Sequence, residues 1–164
     1  MRNEFINFLI NRHKLDKQLA EFFWLYFMQY GVVKDICGEM KITDERYKEL
    51  FNAIKHQEKF GKFSVLDFYY NLYGRWKGAV ACEVEIENEN AFAEFVIKSK
   101  LQCCYCGVLE EYLDKHFRDL IKERRNKGLT LEIEHIVNNN ETDVDNIVLA
   151  CRICNNAKSD FLTA

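Results

Sequence analysis

The chain has 164 residues, of which 48% are hydrophobic, 14% aromatic and 30% charged. This composition excludes an intrinsically disordered chain, and the length suffices for one domain with a smaller attachment. The formal net charge of −3 gives no global field that would hold a nucleic acid. The longest apolar stretch, residues 19–33, is interrupted by Glu21 and Gln29 and is too short to cross a bilayer. The first residues lack the features of a signal peptide, so we expect a cytoplasmic protein that does not engage a membrane.

The first part of the chain, residues 1–100, is predicted to be a mainly helical region. It carries equal numbers of acidic and basic side chains, whereas residues 101–164 carry the whole net charge, and we predict a domain boundary between them. Apolar side chains recur at steps of three and four over residues 15–30, which is typical of a buried helix face. Alternation of apolar and polar residues over 80–86 predicts a strand, followed by a helix capped by Asn88.

Residues 34–51 resemble a helix-turn-helix unit. Ile36 would pack inward from the first helix and Tyr47 from the second, with Thr43 capping the second helix. Acidic residues outnumber basic ones on the exposed face of the second helix, where they would repel phosphates. We therefore favour a helical hairpin or a surface for a protein partner over a recognition helix.

The second part of the chain, residues 101–164, predicts a smaller module of mixed structure. Apolar pairs recur every four residues over 108–121, which predicts an amphipathic helix that continues through basic residues to Gly128. Residues 129–137 alternate as a strand and 138–145 form a polar turn, while the chain from Asn146 onward is predicted to be helical. The predicted fold class of the whole chain is therefore α+β.

Four of the seven cysteines form two C-x-x-C pairs, Cys103/Cys106 and Cys151/Cys154. Each such turn delivers two thiolates to one point, and two turns can close a tetrahedral zinc site. The alternatives are free buried thiols or a redox pair, although redox chemistry needs one pair, usually in a βαβ context that is absent here. Cys104, inside the first pair, could compete as a ligand. We predict one structural zinc ion held by the four paired cysteines.

The segment that leads into the second cysteine pair carries further motifs. Glu134, His135 and Ile136 follow one another on the predicted strand, Asp145 and Asn146 precede an apolar triplet, and Asn155 and Lys158 follow the last cysteine. Bracketed by the two cysteine pairs, this pattern resembles the HNH endonuclease family, in the subclass with a zinc-stabilised ββα-metal fold. The resemblance covers residues 101–160. It departs from the family pattern at the final histidine, where this chain has asparagine, and at the aspartate before the first histidine, where it has glutamate.

The resemblance implies a role for each matched residue. His135 would be the general base that activates water against a phosphodiester. Glu134 and Asn155 would hold a catalytic Mg²⁺ or Mn²⁺ ion, and Asn146 would hydrogen-bond the turn between the strands and help to orient His135. Lys158 is a candidate phosphate contact. The implied activity is metal-dependent hydrolysis of phosphodiester bonds, with DNA as the expected substrate.

Other interpretations of these residues stay open. Taken alone, His135 is more typical of a half-buried strand histidine than of a general base. Glu132 is either a further metal ligand or a solvated strand residue, and we favour the second. For the chain as a whole, the alternatives are a non-catalytic zinc module that binds nucleic acid or protein, and a helix-turn-helix regulator whose zinc end only stabilises it. A role in mobile-element, phage or anti-phage biology is implied by the resemblance alone.

Overall fold

The computed structural model describes residues 1–29, 32–56, 64–79, 85–117, 130–137 and 144–158. These residues are mostly helical and include one two-stranded sheet, which is compatible with the predicted α+β class. The helices are α1 (Arg2–His13), α2 (Lys17–Phe23), α3 (Val33–Met40), α4 (Asp44–Lys55), α5 (Val65–Ala79), α6 (Glu85–Ser99), α7 (Glu110–Phe117) and α8 (Arg152–Lys158). The strands are β1 (Glu132–His135) and β2 (Ile147–Ala150), and a π-helical segment, Trp24–Gln29, follows α2. None of the helices in the described ranges is long and apolar enough to cross a membrane.

The chain divides into two compact units. The first consists of Met1–Asn71 and Glu83–Glu94, and the second of Leu72–Cys82 and Phe95–Ala164. The division falls within α5 and within α6, so each of these helices contributes residues to both units. All of the candidate site residues belong to the second unit.

The core of the first unit is aromatic. The ring of Tyr69 meets those of Phe5, Phe23 and Phe68 edge to face, with centroids 5.1–6.0 Å apart. Such pairs add to the stability gained from burial alone, because the positive edge of one ring meets the negative face of the other. His13 is also buried, and its Nε2 lies 2.9 Å from the hydroxyl oxygen of Tyr69.

Helices α3 and α4 occupy the segment predicted as a possible helix-turn-helix unit. Lys41 ends α3 in the left-handed conformation (φ 54°), and the hydroxyl of Thr43 accepts a hydrogen bond from the backbone N–H of Arg46 at 3.3 Å. Ile36 and Tyr47 are buried, so the two helices pack as a hairpin within the first unit. The acidic residues of α4 that face solvent are Asp44, Glu45 and Glu49.

The strand predicted over residues 80–86 is wrong at its end, because Glu85 and Ile86 already lie in α6. The residues before Glu85 in this stretch lie outside the described ranges. Asn88 does not cap the helix but lies inside it and is buried, as is Phe92 one turn later. Burial at helical spacing outweighs the local alternation, and glutamates in a first helical turn interact favourably with the helix dipole.

The helix predicted from residue 108 onward is observed as α7. The backbone N–H of Glu110, its first residue, donates to the carbonyl of Leu101 at 3.0 Å, and Leu113 is buried on its inner face. The predicted continuation beyond Phe117 lies outside the described residues.

The last part of the second unit is a β-hairpin followed by a helix. Strands β1 and β2 pair antiparallel, with Glu132 opposite Ala150 and His135 opposite Ile147. The helix predicted from Asn146 onward is therefore wrong over β2, and α8 begins only at Arg152. A short apolar run between turns is ambiguous by periodicity, and here pairing with β1 decides that it is a strand.

Candidate metal centre and the adjoining strand-helix face

The four paired cysteines converge in the second unit. Their Sγ atoms all lie within 4.8 Å of one another, and those of Cys106 and Cys151 are 3.7 Å apart. A tetrahedral zinc ion with Zn–S bonds of about 2.3 Å separates its sulfur ligands by about 3.8 Å. This four-cysteine cluster, consisting of Cys103, Cys106, Cys151 and Cys154, could therefore hold a structural metal ion such as zinc.

Backbone hydrogen bonds shape the loop that carries the first two cysteines. The N–H of Cys103 donates to the carbonyl of Val108 at 2.9 Å, and the N–H of Gly107 donates back to Cys103 at 3.0 Å. Gly107 has φ +75°, a left-handed conformation that glycine adopts without strain. A Cβ atom at this position would also lie 3.3 Å from the side-chain amide nitrogen of Gln102. The glycine after the second cysteine is thus part of the site, a signal that the sequence interpretation did not use.

The thiols of the cluster do not titrate alike. Burial alone would raise the pKa of Cys103, but backbone N–H groups of Cys106, Cys151 and Tyr105 stabilise its thiolate and lower the pKa to about 7. Burial raises the pKa values of Cys151 and Cys154, and the negative charge of Cys103 raises them further. A cation at the centre would reverse this repulsion, because a coordinated thiol is deprotonated outright.

Cys104 lies outside the cluster. It is exposed and is not among the four cysteines whose sulfur atoms converge, and its backbone N–H donates to the carbonyl of Leu149 in β2 at 2.9 Å. None of the cysteines in the described ranges forms a disulfide. The ligand set that the geometry offers is therefore the predicted one, without Cys104.

The second feature is the strand-helix face, where two side chains of β1 bond two side chains of α8. The amide nitrogen of Asn155 donates to Oε2 of Glu132 at 2.9 Å, and Nζ of Lys158 lies 3.1 Å from Oε1 of Glu134. Residues two apart on a strand share a face, and residues three apart on a helix do the same. The two contacts therefore form parallel links that fix α8 against β1.

Lys158 is buried and has several oxygen partners. Its Nζ also donates to the carbonyl of His135 and, at 3.3 Å, to that of Ile136. Burial by itself lowers the pKa of Lys158, but the carboxylate of Glu134 and the hydroxyl of Tyr105 outweigh this and raise it above its usual value. The ammonium group is held by the end of β1, so a phosphate could contact it only by displacing some of these partners.

His135 is the last residue of β1 and lies on the face opposite to Glu134. Its Nε2 is buried, and no described residue forms a hydrogen bond with it. A buried nitrogen without a partner is rare in folded proteins and calls for a water, an ion or a catalytic role to explain it.

Asn146 bonds to the two residues that follow β1. Its side-chain oxygen accepts from the N–H of Val137 at 3.0 Å, and its side-chain nitrogen donates to the Val137 carbonyl at 3.1 Å. The N–H of Ile136 donates to the backbone carbonyl of Asn146 at 2.8 Å. These three bonds fix the chain immediately after His135.

The structure groups the candidate residues differently from the sequence interpretation in one respect. Asn155 contacts Glu132 rather than Glu134, and Glu134 contacts Lys158. Glu132, which we expected to be solvated, is partly buried and takes part in the strand-helix face. The involvement of Tyr105 was also missed, because it depends on how the first cysteine loop packs against α8.

The second unit thus brings together two groups of polar side chains. Four thiol groups converge at the cluster. At the strand-helix face, the carboxylates of Glu132 and Glu134 on β1 meet the amide of Asn155 and the ammonium of Lys158 on α8, and the imidazole of His135 lies at the strand end. Compared with known proteins, the chain matches no family model, no curated protein and no solved structure.

Proposed function

We propose that the second unit is a metal-dependent endonuclease module of the HNH type that hydrolyses phosphodiester bonds, with DNA as its substrate. The observation that carries the proposal is the position of His135. His135 is the last residue of β1, and the chain that follows it is hydrogen-bonded to the side chain of Asn146. Its Nε2 forms no hydrogen bond with any described residue, and α8 packs on the other face of the strand. The hairpin followed by a helix also agrees with the fold that the resemblance implies.

In this proposal, His135 accepts the proton of the attacking water. The imidazole of histidine gains and loses a proton close to physiological pH, which generally suits a general base. The bonds from Asn146 hold the chain after His135, so that the imidazole is oriented by the backbone rather than by a carboxylate. Asn146 is thus a positioning residue that does not touch the substrate.

Glu134 and Asn155 would hold the catalytic Mg²⁺ or Mn²⁺ ion, with Glu132 as an additional carboxylate within reach of Asn155. Carboxylate and amide oxygens are the ligands that such hard cations prefer. When bound, the ion supplies charge stabilisation to the leaving oxygen. Since Lys158 already balances the charge of Glu134, we expect binding of the divalent cation to be weak and to require that Glu134 release Lys158.

The four-cysteine cluster would hold zinc as a structural ion. It joins the loop at Cys103 to the start of α8, and α8 carries Asn155 and Lys158. Zinc binding would therefore hold the strand-helix face in position without taking part in the reaction.

The proposal is tested by incubating the zinc-loaded full chain with supercoiled plasmid in Mg²⁺, in Mn²⁺, and without a divalent cation. We expect relaxed or linear plasmid only when Mg²⁺ or Mn²⁺ is present. Metal-independent cleavage, or no cleavage in either cation by protein with a full complement of zinc, would contradict the proposal. Relaxed product would identify a nicking enzyme, and linear product a double-strand break.

One observation favours a second function, a zinc module that binds without cleaving. Both carboxylates of the strand-helix face already have side-chain partners in the protein, as a purely structural face would. This function predicts that the protein retards labelled DNA on a gel while the plasmid stays supercoiled in every cation.

A further inference from the structure

A pocket of about 450 Å³ lies in the second unit, between the end of α6, the first cysteine loop and β2. Its apolar lining consists mainly of Phe95, Val144, Ile147 and Leu149. Lys98 and Lys100 also line it, and among the described residues none that lines the pocket is acidic. The volume is within the range of small-ligand sites, about 300–1,000 Å³.

The pocket lies along the edge of β2 that faces away from β1. The carbonyl of Leu149 accepts the N–H of Cys104 across this edge at 2.9 Å. Ile147, two residues earlier, shares its face and is directly opposite His135 in the register. Cross-strand neighbours have Cβ atoms about 5 Å apart. Ile147, which lines the pocket, is therefore a direct neighbour of His135 across the sheet.

A left-handed turn brings the lysines to this position. Lys100 and Leu101 have φ angles of 52° and 51°, a conformation that side chains other than glycine rarely adopt. Leu101 is fully buried, and its carbonyl accepts the N–H of Glu110, which holds the turn in this shape. The chain therefore reverses at the end of α6, and Lys98 and Lys100 border the same pocket as the cysteine loop.

We propose that this pocket holds one unpaired nucleotide of a nucleic-acid strand, with the base against the apolar wall and the adjoining phosphates at Lys98 and Lys100. The charge favours this occupant, since two cations border the pocket in a part of the chain whose net charge is negative. A nucleotide combines a flat apolar base with a phosphate, which matches the two kinds of lining. The proposal rests on the proposed function, because a strand seated here continues toward His135.

The test measures binding of a fluorescein-labelled single-stranded oligonucleotide to the zinc-loaded full chain by anisotropy, without added Mg²⁺. Lys100→Gly removes the charge and suits the left-handed backbone, so the variant should fold at least as well as the wild type. Lys14→Gly is the matched control, because Lys14 has the same conformation (φ 56°) at the end of α1.

We expect Lys100→Gly to bind the strand about two- to fivefold more weakly, and Lys98→Gln to do the same. Each should lower the slope of log affinity against log salt concentration by about 0.7, as expected for one lost phosphate contact on a single strand. Lys14→Gly should bind like the wild type. A strand whose bases are replaced by abasic sites should bind more weakly than the normal strand.

Equal binding by Lys100→Gly and Lys14→Gly would overturn the proposal, and so would equal affinity for the abasic strand. A loss caused by Lys41→Gly in the α3–α4 turn, with none from Lys100→Gly, would overturn it by assigning the strand to the first unit. Binding that depends on Lys100, without cleavage in any cation, would support the pocket and contradict the nuclease. Cleavage by a wild type whose binding does not depend on Lys100 would support the nuclease and contradict the pocket.

Discussion

The four-cysteine cluster and the strand-helix face lie in the same unit. They differ in whether their ionisable groups already have a compensating partner within the protein. The thiols of the cluster face one another, and the negative charge of Cys103 raises the pKa values of Cys151 and Cys154. In the strand-helix face, the carboxylates of Glu132 and Glu134 each have a side-chain donor from α8. A cation in the cluster would therefore relieve this repulsion, whereas both carboxylates of the face already have partners within the protein.

Under the proposed function, this difference would allow one small unit to hold two metal ions with different roles. A site that needs its ion to relieve repulsion binds the ion tightly and folds around it. A site whose ligands are already compensated exchanges its ion easily, because here the cation must compete with Lys158 for Glu134. We therefore expect zinc to be bound tightly and Mg²⁺ weakly.

The largest effect is expected from Cys106→Ser. Loss of one thiolate should release zinc and unfold the second unit, because structural zinc contributes its binding free energy to folding. Elemental analysis and circular dichroism measure both, and added Mg²⁺ should restore neither. Cys104→Ser is the matched control and should keep zinc and fold, since Cys104 lies outside the cluster. A folded Cys106→Ser protein without metal would contradict the structural role of the cluster.

His135→Ala should lower the rate of plasmid cleavage by about 10²–10⁴, the usual cost of losing a positioned general base. Zinc content and melting temperature should stay close to those of the wild type. Glu134→Ala should lose activity in a different way, recovering part of it at higher Mg²⁺ or in Mn²⁺, because it weakens the site of the exchangeable ion. Cleavage by His135→Ala at the wild-type rate would show that another residue is the base.

Lys158→Met should lower the free energy of unfolding of the second unit by about 1–3 kcal/mol, because it leaves Glu134 and the strand-end carbonyls without their donor. The same change should lower the Mg²⁺ concentration needed for half-maximal cleavage, since Glu134 no longer has a competing cation. Chemical denaturation and a Mg²⁺ titration measure the two effects. Arg152→Met, on the same helix, is the control and should change stability by less than about 0.5 kcal/mol. A higher Mg²⁺ requirement in Lys158→Met would contradict competition at Glu134.

The stability difference between wild type and Lys158→Met should depend on pH in a defined direction. Burial lowers the pKa of Lys158, but the hydrogen bond to Glu134, the charge of Glu134 and the hydroxyl of Tyr105 together outweigh burial and raise the pKa in the folded protein. A raised lysine pKa contributes stability in full below the unfolded value of about 10.4, and the contribution is lost as the pH rises through the folded value. On the alkaline side, the difference between the two proteins should therefore begin to shrink above about pH 10.4.

Asn146→Ala should have the smallest effect, a loss of about 1–2 kcal/mol of stability from the two hydrogen bonds to Val137, which is exposed. Activity should fall by more than the loss of folded protein accounts for, because the chain after His135 is no longer held by the side chain of Asn146. Asn146→Asp keeps the acceptor for the Val137 N–H and should retain more activity than alanine does. Equal activity in the alanine variant and the wild type would show that His135 does not depend on the hydrogen bonds between Asn146 and Val137.

The local features of the site were predictable where they depend on spacing in the sequence. Two C-x-x-C pairs bring their sulfur atoms together because each pair closes within one turn, so the cluster follows once the two turns meet. The cap at Thr43 and the start of the helix near Glu110 follow from short-range preferences in the same way. Long-range pairing is harder to predict, and β2 was predicted as helix because four apolar residues in a row fit both structures.

The sequence pattern alone identifies the candidate residues: four soft thiols, one imidazole and a small group of carboxylate and amide oxygens in one stretch of the chain. The partners of these residues depend on the fold. Asn155 bonds Glu132, and Lys158 bonds Glu134 rather than facing solvent, because the pitch of α8 must match the two-residue repeat of β1. The pocket bordered by Lys98 and Lys100 likewise exists only because a buried Leu101 holds a left-handed turn that local preferences disfavour. The residue type fixes the chemistry of each side chain, while packing between residues far apart in the sequence fixes which side chains meet.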